Sequence, residues 1–366
     1  EFGTGTLDIT NGGAVSNAMG TIGWHAGSNG AVTVDGAGSI WTNSSHLFVG
    51  DQGTGALNIS KGGKVSNLSG ILGNLAGSIG TATVDGAGST WANAALAVGN
   101  AGFGALTITN GGAVTSSVGY ASYDVGSKGL VTVNGADSTW TNTSDLFIGF
   151  QGQGSLTVSN GGAVSNALGY VGDFAGSTGT VFVDGPGSTW SNSADLYVGN
   201  LGAGNVTITN GGAISNDTAY VGNSAGSTGM VFVDGAGSTW TNADLFVGSA
   251  GTGTLVISHG STVSSDTGVI GSQAGSTGTV IVDNAGSTWT NSADLFVGDY
   301  GTGTLAISHG AVSNGSAIIG AKVGSTGMAF VDGVGATWTN SSSLVLGGYG
   351  AGTLAISNGG MVTDAA

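Results

Sequence analysis

Residues 3–50 read GTGTLDITNGGAVSNAMGTIGWHAGSNGAVTVDGAGSIWTNSSHLFVG, and the pattern returns with little change along the whole chain. Within it, Leu7-x-Ile9 and Val32-x-Val34 alternate apolar with polar residues in short runs bounded by Gly, Asn and Asp. A period of two puts alternate side chains on one face of a strand, and the Gly/Asn/Asp clusters between runs mark turns. The sequence carries no helical period and no apolar run approaching the ~20 residues of a membrane-spanning helix.

The recurrence is regular enough to define units. Trp41, Trp91, Trp140, Trp190, Trp240, Trp289 and Trp338 are spaced by 49 or 50 residues, and the motif G-x-G-x-L/V restarts with the same spacing. The repeats run 3–52, 53–101, 102–151, 152–201, 202–250, 251–300 and 301–349, with a partial one at 350–366. They are expected to form a single array over 1–366. Each repeat divides again. Its first half, G-T-L-x-I-x-N-G-G-x-V-S-N, aligns with its second, G-x-V-x-V-D-G-x-G-S-T-W-T-N. The structural unit is therefore a coil of ~25 residues with three short strands, two coils to a repeat. This predicts an all-β chain folded as a right-handed parallel β-helix. At about 4.8 Å per coil, it would make a rod on the order of 70 Å long.

Alternation assigns the interior. Leu7, Ile9, Val32 and Val34 point inward, and the site held by Val15 in one coil is held by Trp41 in the next. Large and small residues in successive coils fill a narrow core without voids. Two residues further on, Asn recurs (Asn17, Asn43, Asn67, Asn93), broken by Ser116, Ser265 and Asp364. The expectation is an Asn ladder running from coil to coil.

Composition narrows the function classes. Of 366 residues, 76 are Gly, none is Cys, and 7% are charged, where a globular domain carries roughly a quarter. The net charge is −16, with Lys61, Lys64, Lys128 and Lys322 the only cationic side chains besides four His. Four lysines neutralise few phosphates, which argues against nucleic acid or an anionic membrane surface as partner. No membrane insertion of this segment is expected. The chain begins and stops inside the repeat pattern, which is expected of an excised or processed piece of something longer.

The runs GTLxIxNGG and AGSTGTVxVDGAGSTWTNS, followed by LxVG, resemble the bacterial repeat of type V autotransporter passengers and exported PEP-CTERM proteins. The resemblance covers essentially the whole chain. It implies a parallel β-helix displayed outside a Gram-negative bacterium, secreted or on the cell surface, and associated with adhesion and aggregation. Zero Cys agrees with passage through the outer membrane as an unfolded chain. The family carries no catalytic motif.

The residues themselves point to no chemistry. Asp35, Asp85, Asp184, Asp234, Asp283 and Asp332 precede Gly or Asn at a repeated corner, which reads as turn chemistry. Asp145, Asp195, Asp244 and Asp294 precede the Leu-x-Val strand. Such rows are suited at most to weak Ca²⁺ binding, and the GGxGxDxUx calcium repeat is absent. His259 and His309 replace the corner Asn in consecutive repeats, about 10 Å apart and too far to share a metal. His25 and His46 are isolated, and all four histidines are expected to face solvent. No catalytic residue, metal site or cofactor is expected.

One feature rises above architecture. The residue before each inward Val or Ile of the Val-Gly or Ile-Gly strand should face outward. The aromatic side chains at that position are Phe48, Tyr120, Phe147, Tyr170, Tyr197, Tyr220, Phe246 and Phe296, with an unbroken run from Tyr120 to Phe246. These residues form a candidate contact stripe. The leading expectation is a non-enzymatic extracellular adhesion and self-association module. Its partner would be another copy, met laterally or end to end, or glycans of a cell surface or matrix. The alternatives are a purely structural spacer, sheath or filament subunit and, third, a carbohydrate-active enzyme on a β-helix.

Overall fold

The computed structural model describes residues 3–365, which form two compact units. The first runs to Phe182 and includes Gly187–Ser191; the second holds Val183–Pro186 and continues from Asn192. No helix occurs among the described residues.

In the first unit the strands Thr4–Thr10, Asn29–Asp35 and Thr54–Ser60 lie parallel, with Leu7, Val32 and Leu57 in line. A second parallel sheet aligns Val15, Trp41 and Val65 on strands Ala14–Asn17, Ile40–Asn43 and Lys64–Ser66. A third joins Gly20–Ile22, His46–Val49 and Ser69–Leu72. The chain visits the three sheets in turn and returns one strand further on after about 25 residues, as the Leu7–Val32 pairing shows. The second unit repeats the order with Ala203–Thr209 against Thr228–Asp234, Ala213–Ser215 against Thr239–Thr241, and Thr218–Val221 against Asp244–Val247. This is an all-β parallel solenoid, as the half-repeat predicted.

Two kinds of corner require special backbone. At the N-G-G corner, Asn11, Asn110, Asn160 and Asn210 sit at φ of 52–53°, a left-handed region that Asn tolerates. A side-chain oxygen of the preceding coil steadies Asn110, Asn160 and Asn210, a carboxylate for Asn110 and Asn210 and the Asn134 amide for Asn160. Asp85 Oδ1 accepts from Thr109 Oγ1 at 2.7 Å and from Asn110 Nδ2 at 2.6 Å. Asp332 does the same with Ser357 and Asn358, at 2.6 and 2.7 Å. The repeated corner Asp is thus turn chemistry across coils as well as within one. At the Val-Gly corner, Gly50 has φ 72°, and a Cβ there would lie 2.0 Å from the Ile79 carbonyl oxygen. Only Gly fits.

The core alternates as predicted. Trp91 is fully buried between Val65 and Val114, and Trp240 sits between Ile214 and Val263. The third sheet alternates in step, Leu in the Trp coils and a small residue in the coils between, as Trp91 leans over the Gly of the coil before it. A Cβ on Gly70 would stand 2.8 Å from Trp91 Cζ2, so a small residue alternates with Leu47 and Leu96. The Asn series differs from the expected continuous ladder, because it is paired within repeats, though not in all of them, as Asn242 Oδ1 has no partner among the described residues. Trp41 Nε1 donates to Asn17 Oδ1 at 2.7 Å, and Asn17 Nδ2 donates to Asn43 Oδ1 at 2.6 Å. Asn67 links Trp91 and Asn93 in the same way, and Asn314 links Trp338 and Asn340. The link onward is weak, because the Asn67 oxygen after Asn43 is taken by Trp91 and the position after Asn93 is Ser116. Asn93 Nδ2 reaches only the Thr115 carbonyl at 3.4 Å, and Asn43 Nδ2 has no partner among the described residues.

Candidate contact face

The third sheet carries the candidate stripe on its outer side. In the first unit its register aligns Thr21, Phe48, Ile71, Ala97, Tyr120, Phe147 and Tyr170. In the second it aligns Tyr197, Tyr220, Phe246, Val269, Phe296, Ile318 and Val345. The residues flanking each aromatic along its strand are buried, so the outward assignment matches the geometry. The rings are nonetheless half-buried, because they cover one another.

In the first unit Tyr120 and Phe147 stack at 5.1 Å with planes 7° apart, and Phe147 and Tyr170 at 4.8 Å and 8°. In the second, Tyr197 and Tyr220 stack at 5.0 Å and 8°, Tyr220 and Phe246 at 5.2 Å and 9°. The spacing follows from the sheet, since parallel strands ~4.8 Å apart place equivalent rings at stacking distance. The structure does not bring Phe48 and Phe296 into these stacks. Phe48 aligns with Thr21 and Ile71, and Phe296 with Val269 and Ile318. Burial raises the Tyr120 phenol above its ordinary pKa, with Tyr123, Asp145 and Asp173 adding to it. Burial likewise raises Tyr220, beside Asp195, Asp244 and Asp217.

A second aromatic column, missed in the sequence, runs beside the first. Tyr123 and Phe150 stack at 5.1 Å, and each also meets Tyr120 edge-on. Phe150 in turn meets Phe174 at 4.7 Å and 67°. Tyr120, Tyr123, Phe147, Phe150, Tyr170 and Phe174 therefore form one interlocked plate in the first unit. The signal was present in the sequence. Tyr123 and Phe150 follow the corner where other coils place Asp51, Asn74 or Asn223, and there the column is polar, with Asn74 Nδ2 donating to Asp51 Oδ1 at 2.6 Å.

The edge of this sheet, where the chain enters the third strand, differs between the units. In the first unit the entering column reads Met19, His46, Ser69, Ala95, Val118, Asp145 and Leu168, with Leu68 beside it and more than half exposed. In the second unit Asp195, Thr218, Asp244, Thr267 and Asp294 occupy the column, and Asp217 and Asp266 lie beside it. Tyr197 Oη donates to Asp195 Oδ2 at 3.2 Å, so these carboxylates adjoin the stacked rings.

The histidines are dispersed. His259 Nδ1 lies 2.6 Å from Asp234 Oδ1, at an exposed corner, and His309 is exposed at the equivalent one. His25 stacks on Trp24 in solvent. His46 departs from the expectation, being half-buried against Phe48 with its Nδ1 unpartnered. Among the described residues no group of three or more His, Asp or Glu is placed to hold a metal ion.

The fold and face define a parallel β-solenoid with a patterned outer surface. Its fold is similar to the crystal structure of a TibC-catalyzed, hyper-glycosylated fragment of TibA, with a TM-score of 0.55 over 98% of this chain and 99% of that one, at 17% identity. No family model matches the sequence, and no curated protein matches it.

Proposed function

We propose that this chain is a non-enzymatic adhesion and self-association module of an exported bacterial surface protein, working outside the cell through the aromatic face of its third sheet. The observation that carries this reading is the plate from Tyr120 to Phe174. Its stacked rings occupy neighbouring coils, and Phe174 stays 40% exposed. Interlocked rings on neighbouring coils, unlike the apolar side chains exposed singly elsewhere such as Val125 and Val323, suit a contact surface rather than a solvated one. Solenoid coils repeat such contacts in register, so weak pairings add through avidity. The fold likeness to a TibA fragment and the repeat's resemblance to autotransporter passengers support an extracellular setting. No reaction is assigned to the chain. Glycans are the alternative partner, because sugar rings also pack on aromatic surfaces.

The test replaces Tyr120, Phe147 and Tyr170 together with Ser and follows self-association by sedimentation equilibrium. The variant should associate at least about tenfold more weakly than the parent, the loss of ~1.4 kcal/mol or more. An unchanged association constant with a folded variant removes this reading.

A further inference from the structure

The face of the second unit differs from the plate in a way that bears on its partner. Resting on the reading of the third sheet as a contact surface, we propose that the face around Tyr197, Tyr220 and Phe246 docks an extended cationic peptide segment, a lysine- or arginine-rich stretch of a partner protein laid along the coils.

Three observations converge on that occupant. First, successive coils each bring a carboxylate to this edge, Asp195, Asp217, Asp244, Asp266 and Asp294. Two of them bond across coils, Asp266 Oδ1 accepting from Ser292 Oγ at 2.6 Å and Asp195 Oδ1 from the Thr218 amide at 3.3 Å, but among the described residues none of the five meets a cation. The carboxylates of Asp217 and Asp244 have no hydrogen-bond partner among the described residues, and Asp294 accepts only a 3.3 Å contact from the Ser316 amide. Neither ion pair among the described residues, Lys61–Asp35 or His259–Asp234, lies on this edge. The row is therefore uncompensated charge.

Second, the rings beside the row present edges rather than faces. Tyr220 is covered on one side by Tyr197 and on the other by Phe246, with planes 8° and 9° apart. A cation cannot sit over a covered face, so the ring stack offers an apolar rim and the acidic row offers charge. Lysine and arginine match that pairing, with an apolar stem to lie along the rim and a charged end to reach the carboxylates. A compact cation would use the row and ignore the rings.

Third, charge complementarity argues against a second copy of this chain on this face. The chain carries −16 with four lysines, so a copy brings carboxylates against carboxylates. The first unit's edge carries one carboxylate, Asp145, among Met19, Leu68, Val118 and Leu168, so it has no such row and keeps the self-contact.

The experiment measures binding of fluorescein-labelled decalysine to the intact chain by anisotropy, at low and at physiological salt. Replacing Asp195, Asp217, Asp244 and Asp266 with Asn should weaken binding by about tenfold or more, because every removed charge lies along the docked segment. A control variant with Asp8, Asp124, Asp137 and Asp364 changed to Asn loses the same net charge and should bind within about twofold of the parent. Tyr197→Ser with Tyr220→Ser keeps all the charge and should still weaken binding severalfold. Equal losses from the two aspartate sets would mean that net charge alone attracts the peptide and would overturn the proposal. An unaffected tyrosine variant would overturn it as well. Thermal melts of each variant verify folding. The aspartate variants should self-associate as the parent does, so a failure here is distinct from a failure of the self-association reading, which is tested at Tyr120, Phe147 and Tyr170.

Discussion

The two units share an interior and differ outside. Trp91 in the first and Trp240 in the second occupy the same site between aliphatic residues, and each indole N–H donates to the Asn of the preceding coil. Their outer columns diverge. On the first sheet, the first unit aligns Asp8, Thr33, Asn58, Thr83, Thr107, Thr132 and Thr157, a column that reaches an exposed aromatic, Phe182, only on its last strand, whereas the second aligns Thr207, Phe232, Val256, Ile281, Ala306 and Phe330. On the third, the first unit has a doubled aromatic plate whose edge holds a single carboxylate, Asp145, and the second has a single ring column with an acidic row along its edge. A solenoid coil must keep its inward residues to stack on its neighbours, and its outward residues are released from that constraint. The outer columns are where the repeats acquire individual character, and the proposed contacts are placed there.

The core half of this comparison can be broken first. Trp91→Ala and Trp240→Ala should each cost ~3–5 kcal/mol, similar in the two units, read as the drop in urea midpoint. Very different losses would show that the interiors are not equivalent. A smaller effect is expected where the Asn series lapses. Ser116 stands below Trp140 and leaves its Nε1 without a partner, while Ser265 still accepts from Trp289 at 3.2 Å. Ser116→Asn restores the acceptor and should stabilise by about 1 kcal/mol, and Ser265→Asn by less. A destabilising Ser116→Asn would show that the site lacks room for the amide.

The smallest effect concerns the corner carboxylates. Hydrogen bonds from Ser258, then His259, hold the Asp234 carboxyl below its ordinary pKa, and Ser60 and Ser357 do the same for Asp35 and Asp332. A lowered carboxyl contributes stability above its unfolded pKa of ~3.9 and loses it as pH falls through the folded value. The melting temperature should therefore hold as pH falls towards about 4 and decline below it. Asp234→Asn should shed its own share of that decline. A melting temperature that rises on acidification would contradict the assignment.

Most of the fold was legible because its causes are local. Leu7-x-Ile9 fixes a strand face, Asn11-Gly12 fixes a left-handed corner, and the 49- or 50-residue Trp spacing fixes the stacking. The pairing of Asn17 with Asn43 was not legible, because it depends on Trp41 turning its Nε1 onto one Asn of the two. Half of the contact face was also hidden. Tyr123, Phe150 and Phe174 lie past the Gly corner, where outward direction does not follow from strand alternation. The acidic edge was legible in part, as Asp195, Asp244 and Asp294 recur before Leu-x-Val, and only Asp217 and Asp266 were hidden. Asp195 directly precedes its strand partner Leu196, but Asp217 lies one residue further back, so the two halves of a repeat fall out of alignment just where the carboxylates line up.

Because the chain has no Cys, a single introduced thiol reports which face meets another copy. Val118→Cys places it on the apolar edge beside Tyr120, and Asp217→Cys on the acidic edge beside Tyr220. Under mild oxidation the Val118→Cys chain should form covalent dimers in preference to the Asp217→Cys chain. Equal cross-linking, or faster cross-linking through Asp217→Cys, would contradict the division of the two faces.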